Sequence, residues 1–172
     1  MRALTKTLAV LSATLNRLAL SGALLALGLM VCVVGFQVVA RYVFAAPPAW
    51  TEEVARHAMI WAGLLGATAA FKANADPTLF PAMHSVAGRL GLLLFSLRAV
   101  GVLLFITPVL YFSIFGPNQN PLRGFIMRSL DKTTEVTGIS MLFITAAIPV
   151  VFTLILIHLL ADLSARLTTG QK

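Results

Sequence analysis

The chain has 172 residues, of which 59% are hydrophobic and 11% charged, with a formal net charge of +7. Soluble domains carry about 25% charged residues, so the composition argues against an aqueous globule, and the apolar surplus excludes a disordered chain. A lone cysteine, Cys32, leaves no intrachain disulfide, cysteine-ligated zinc site or CxxC redox motif, and basic residues that flank apolar runs point to membrane orientation, not to a nucleic-acid partner.

Residues 3–17 place Leu4, Leu8, Leu11 and Leu15 on one helical stripe, with Thr5, Lys6, Ser12 and Asn16 elsewhere. The pattern fits an N-terminal interfacial helix on the membrane surface, or equally the opening turns of the span that follows. Leu18 to Ala40 is uncharged. As a helix it covers about 34 Å, enough for a hydrocarbon core of about 30 Å, and it exceeds the apolar region of about 7–15 residues in a cleaved leader. A retained helix is expected. Pro47 and Pro48 then stop it and set a turn.

The second span runs from about Thr51 to Lys72 and is rich in small residues. Gly63 with Ala67, and Gly66 with Ala70, form small-xxx-small pairs that permit close helix approach. Residues 72–89, with Asp76-Pro77, Pro81 and Gly88, read as a loop with at most a short helix. The third span, about 90–116, contains Pro108 and carries Arg98 about two turns in, facing either headgroups or another protein chain, because a charge at the bilayer centre is costly. Pro-Asn-Gln-Asn-Pro opens an outer loop over 117–135, and the fourth span covers about 136–161 with Pro149 inside. Both prolines are expected to kink their helices. The expectation is an all-α integral membrane protein, one membrane domain over 1–172 with four transmembrane helices.

Orientation follows from lysine and arginine. Arg2, Lys6, Arg17, Lys72, Arg89, Arg98, Arg166 and Lys172 share one side; Arg41, Arg56, Arg123, Arg128 and Lys132 share the other. The richer side carries both termini, which places them in the cytoplasm.

Chemistry-bearing patterns are few. None of Glu52, Glu53, Asp76, Asp131, Glu135 and Asp162 falls within an apolar run, where a proton-coupled carrier keeps its ionisable group. His57 opens the second helix, His84 lies in a loop, and His158 is expected at headgroup level near the end of the fourth. No two of them match in depth as haem ligands. No phosphate loop, catalytic triad or metal-ligand spacing is present. These features predict neither an enzyme nor a cofactor in this chain.

One cluster stands apart. Arg41-Tyr42-Val43-Phe44 closes the first span, and Trp50-Thr51-Glu52-Glu53-Val54-Ala55-Arg56 opens the second. Trp50 and Tyr42 suit the interface, Glu52 and Glu53 complement a helix N-terminus, and Glu52 and Arg56 stand at i and i+4, the favourable order for an ion pair. Glu53 is rotated off that pair and is the candidate for an intersubunit contact.

Arg-Tyr-x-Phe, then Trp-x-Glu-Glu-x-x-Arg, then Trp61 and Gly63-x-x-Gly66-Ala67, resembles the small, DctQ-like membrane subunit of tripartite ATP-independent periplasmic (TRAP) transporters. Gly138-Ile139-x-Met141 and Ala146-x-Ile148-Pro149 resemble that family's last helix. The likeness is sharpest over 41–67 and 138–149. It departs from the family at Ala75-Asp76-Pro77, near which the family often has a histidine, and in the longer, more charged loop at 117–135. The resemblance implies a multi-pass subunit of the bacterial inner membrane, a fixed scaffold beside a large multi-span carrier. That carrier would import an organic acid delivered by a periplasmic solute-binding protein, with sodium bound by the carrier and not by this chain. Membrane lipids are the other expected partners. Arg41, Trp50, Glu52, Glu53, Arg56, Trp61, Gly63, Gly66, Ala67 and Arg98 are the expected interface or docking residues. The rival readings are a stand-alone homo-oligomeric transporter and the membrane anchor of a redox enzyme.

Overall fold

The structure, a computed structural model, describes residues 2–75 and 88–169. It comprises α1 (Arg2–Val43), α2 (Trp50–Lys72), α3 (Gly88–Ile114), the short α4 (Met127–Leu130) and α5 (Leu142–Thr145), and α6 (Ala147–Thr169). Four helical stretches are long and apolar enough to cross a membrane: Thr5–Val43, Trp50–Lys72, Leu90–Ile114 and Leu142–Thr168. Among the described residues there is no strand, only an isolated bridge between Thr133 and Ser140.

α1 is apolar on every side, so hydrophobicity does not choose the face that packs. Side-chain size does. The positions turned toward the other helices recur every seventh residue: Thr5, Ser12, Ala19, Ala26, Val33 and Ala40. Phenylalanine, most leucine and most valine side chains point away, Leu25 being 75% exposed. Lipid tails are as apolar as leucine, so packing between membrane helices depends on close backbone approach, which small residues allow. A seven-residue repeat keeps that seam facing its neighbours along a shallow left-handed crossing. Gly22 marks the tightest point: a Cβ there would lie 3.0 Å from Leu65 Cδ1.

α1 packs along α2 and α6, α2 along α6, and α3 along α6. The side carrying both chain ends, hereafter the terminal side, is tied by a hydrogen bond of 3.2 Å between the hydroxyls of Thr5 and Thr168. At 42 residues α1 measures about 63 Å, roughly twice a hydrocarbon core. The segment 3–17 is not a separate surface helix but forms the opening turns of α1, and Thr5 and Ser12 from it continue the seam. Ser12 hydroxyl bonds His158 Nδ1 at 2.8 Å. His158 is 0% exposed, covered by α1. Beside it Lys72 and Asp162 pair at 3.8 Å.

Phe95 of α3, Phe71 of α2 and Leu159 of α6 form a buried apolar cluster. Arg98 is taken up within the chain: its guanidinium lies 4.6 Å from the Phe71 ring centroid and donates to Asn74 Oδ1 at 2.8 Å. Arg166 covers Phe95 in the same way at 4.4 Å.

The fourth span begins later than expected. Residues 136–141 form a turn, with Gly138 at φ +68°, and helix starts at Leu142. A turn at Ala146 separates α5 from α6 within the helical stretch Leu142–Thr168, three residues before Pro149, which has no N–H to offer the preceding turn. The 117–135 loop folds back on α3, Phe125 and Ile126 N–H donating to the carbonyls of Phe112 (3.3 Å) and Ser113 (3.1 Å). Gly116 and Gly124 make this possible; an added Cβ would collide with the Arg123 and Ile114 carbonyls respectively. Of the loop expected over 72–89, residues 76–87, His84 among them, lie outside the described residues.

Ala19→Leu should destabilise the purified chain by at least about 1–3 kcal/mol, the usual cost of overpacking, whereas Leu25→Ala should stay within about 0.5 kcal/mol. Thermal unfolding in detergent separates the two. Ala45, between α1 and α2, sits at φ +53°. Ala45→Gly should raise the unfolding temperature, because a Cβ in that conformation costs about 1 kcal/mol.

Candidate functional site

The cluster at the start of α2 lies on the side opposite the chain ends, hereafter the turn side. Its first helical turn is fixed by Thr51, wholly buried, whose hydroxyl donates to the Pro48 carbonyl at 2.6 Å. Trp50 stacks on Phe36 of α1 with ring centroids 5.9 Å apart. From this base Glu52 and Glu53 point in different directions.

Glu52 Oε1 accepts from Gln37 Nε2 of α1 at 3.1 Å. The expected pair with Arg56 does not form; among the described residues the ion pair present is Lys72–Asp162. Arg56 is exposed and lines a polar cavity of about 470 Å³ with Glu52, Glu53, His57 and Glu135.

Glu53, expected at an intersubunit contact, is engaged within its own chain. Oε2 accepts from the backbone N–H groups of Val136 (3.0 Å) and Thr137 (3.2 Å), and Oε1 accepts from the Thr137 hydroxyl. The turn is braced around this carboxylate. Thr134 and Thr137 hydroxyls bond at 2.9 Å, Ile139 N–H donates to Thr134 Oγ1 at 3.0 Å, and Met141 N–H to the Lys132 carbonyl at 2.8 Å. A carboxylate accepting several N–H and O–H bonds is a strong tie. It couples the start of α2 to the segment leading into α5. Trp61 makes a second tie, Nε1 donating to the Phe143 carbonyl at 3.1 Å. The partners Gln37, Thr134, Thr137 and Phe143 are distant in sequence; the signal for them is a lone amide in an apolar run and a Thr-x-x-Thr-Gly turn.

Gly63, Gly66 and Ala67 of α2 are not packed against the rest of the chain, unlike the buried Ala58. A Cβ at Gly63 or Gly66 would meet nothing within 4 Å. Gly63 and Ala67 belong to a continuous exposed stripe with Glu52, Arg56 and Met59, spaced by three and four residues and so on one face of the helix. Arg41, at the end of α1, is also exposed. The expected interface residues thus divide into two groups. Trp50, Glu53, Trp61 and Arg98 are engaged internally; Arg41, Arg56, Gly63, Gly66 and Ala67 are open on the surface, with Glu52 between the groups.

No group of three or more histidine, cysteine, aspartate or glutamate side chains arranged to hold a metal occurs among the described residues.

The family described as tripartite ATP-independent periplasmic transporters, DctQ component, matches residues 30–169. The chain belongs to that family, and is a small component of a TRAP transporter. No curated protein matches it.

Glu53→Gln should lower the unfolding temperature of the isolated chain by several degrees, because the amide has one acceptor oxygen where the carboxylate has two. Glu52→Gln should change it by less than about 0.5 kcal/mol, as for most exposed positions. Unfolding of each variant without any partner is the measurement. A Glu53 acting only between subunits would leave the isolated chain unchanged.

Proposed function

We propose that this chain is the scaffold subunit of a sodium-coupled TRAP transporter of the bacterial inner membrane, with both termini in the cytoplasm. On this reading a periplasmic solute-binding protein delivers an organic acid to the large membrane subunit, which carries it inward and binds the sodium. This chain holds that subunit in place. The supporting observation is the α2 stripe. Its small residues face away from α1 and α6, and the space above Gly63 and Gly66 is open. Small residues in a membrane helix favour close contact with another helix, and here that helix belongs to the large subunit. The exposed Arg56 at the turn-side end of the stripe lies nearest the periplasm and suits contacts with the subunit's rim or the docked binding protein.

Gly63→Leu and Ala67→Leu should each cut recovery of the large subunit with this chain severalfold, while the isolated chain unfolds at its usual temperature. Co-purification and thermal unfolding, run in parallel, check both halves. Reconstituted alone in liposomes, the chain should take up no organic acid under a sodium gradient; uptake by the single chain would overturn the scaffold reading.

A further inference from the structure

A second feature lies on the turn side, away from the α2 stripe. The last two turns of α3 and the loop folded onto them enclose a cavity of about 460 Å³. Val109, Phe112 and Ile148 form an apolar wall, and Phe125 closes it from the loop. Arg123 and Arg128 stand among the lining residues and are exposed. Neither guanidinium has a carboxylate partner among the described residues. Their positions are not accidental to a floppy loop: the Gly116 and Gly124 close approaches and the Phe125–Phe112 and Ile126–Ser113 backbone bonds hold the loop against the helix end.

The surroundings locate the cavity at a membrane surface. α3 is a spanning helix that ends at Ile114, and the loop beyond it exposes Leu122, Phe125, Met127 and Leu130 between Arg123, Arg128 and Lys132. Apolar side chains interleaved with cations suit the boundary between headgroups and acyl chains. From the arginines the apolar wall runs back along α3 toward the membrane interior, through Phe112 to Val109.

The two halves of the cavity call for one kind of ligand. A small aqueous anion would satisfy the guanidiniums and leave the wall unused. A neutral lipid would fill the wall and leave both cations without a counter-charge. Arginine presents a planar fork matched to phosphate oxygens, and the wall is suited to an alkyl chain. We propose that Arg123 and Arg128, with the apolar wall beneath them, bind an acidic phospholipid of the turn-side leaflet. Its phosphate rests on the two guanidiniums, and one acyl chain lies along Phe112, Val109 and Ile148.

The test uses the full chain in neutral detergent after delipidation. Phosphatidylglycerol, phosphatidylcholine and soluble glycerol phosphate are titrated separately, with retained ligand read by native mass spectrometry. Phosphatidylglycerol should bind about tenfold or more tighter than phosphatidylcholine, because both carry the phosphate but the choline cation of the second cancels its charge beside the two guanidiniums. Glycerol phosphate should not bind at matching concentration. The double variant Arg123→Gln/Arg128→Gln should lose the preference, and Arg41→Gln, which removes a turn-side cation outside this cavity, should keep it. Equal binding of the two lipids, an unchanged double variant, or an equal loss in Arg41→Gln would overturn the proposal. So would glycerol phosphate binding as well as lipid, which would mark a phosphate site instead. An acyl-length series on the unaltered protein removes dependence on the variants folding: affinity should climb with chain length, and a flat series would refute the acyl-chain contact.

Discussion

Close approach of α1 to its neighbours is the condition on which the other features depend. In water a leucine-rich face would pull helices together; in lipid it has no such preference. The chain instead places Ser12, Ala19, Ala26, Val33 and Ala40 on one seam and turns its bulky side chains to the bilayer. With backbones this near, Gln37 reaches Glu52, Phe36 reaches Trp50, and Ser12 reaches His158. Each of these polar or aromatic contacts would fail if the seam carried leucine. The seam therefore sets how α2 lies against α1, and through α2 it sets the position of the exposed stripe.

Polar groups in this chain are largely consumed by the chain itself. Glu53 closes a turn 84 residues away, Arg98 caps the end of α2, and Lys72 meets Asp162. Such spending is expected where water is scarce, since an unpaired buried polar group costs more than a paired one contributes. What remains at the surface is consequently informative. The stripe from Glu52 to Ala67 offers small side chains and charge, and the loop after α3 offers two arginines over an apolar wall. They are on different helices and call for different chemistry, one a close-packed helix and the other an anionic amphiphile.

The borders of α2 and α3 are legible because charged or loop-forming residues bracket an apolar run. The N-terminal half of α1 is less so: Lys6, Ser12 and Asn16 interrupt the apolar pattern without interrupting the helix, since a polar side chain does not break backbone hydrogen bonding. The start of the fourth span misleads for the opposite reason. Val136 and Ile139 look like membrane residues, but Gly138 takes a left-handed conformation and Glu53 occupies the neighbouring N–H groups. Spacing alone offers Glu52 a local partner in Arg56, and cannot see Gln37 on another helix or Thr137 beyond it. Gly63 and Ala67 are legible as a contact surface, but not as one facing outward. The α1 seam is written as a seven-residue recurrence of mostly small side chains at six positions, to which a contrast of apolar with polar residues is blind.

The packing of α3, mostly along α6 and at its terminal-side end also on Phe71 of α2, has a consequence for how the protein is made. Chains emerge from the ribosome N-terminus first, at about 5–20 residues per second. α1 and α2 are consecutive and can pair as soon as both are inserted. α3 follows, yet most of the surface that receives it belongs to the last helix of the chain, more than thirty residues further on. For several seconds α3 therefore stands in the bilayer with only its terminal-side contacts to Phe71 and Asn74 in place. Its high apolarity, with Arg98 near its terminal-side end, lets it do so. Delivery of α6 then completes the bundle in a single event, joining α1, α2 and α3 around one late-arriving helix.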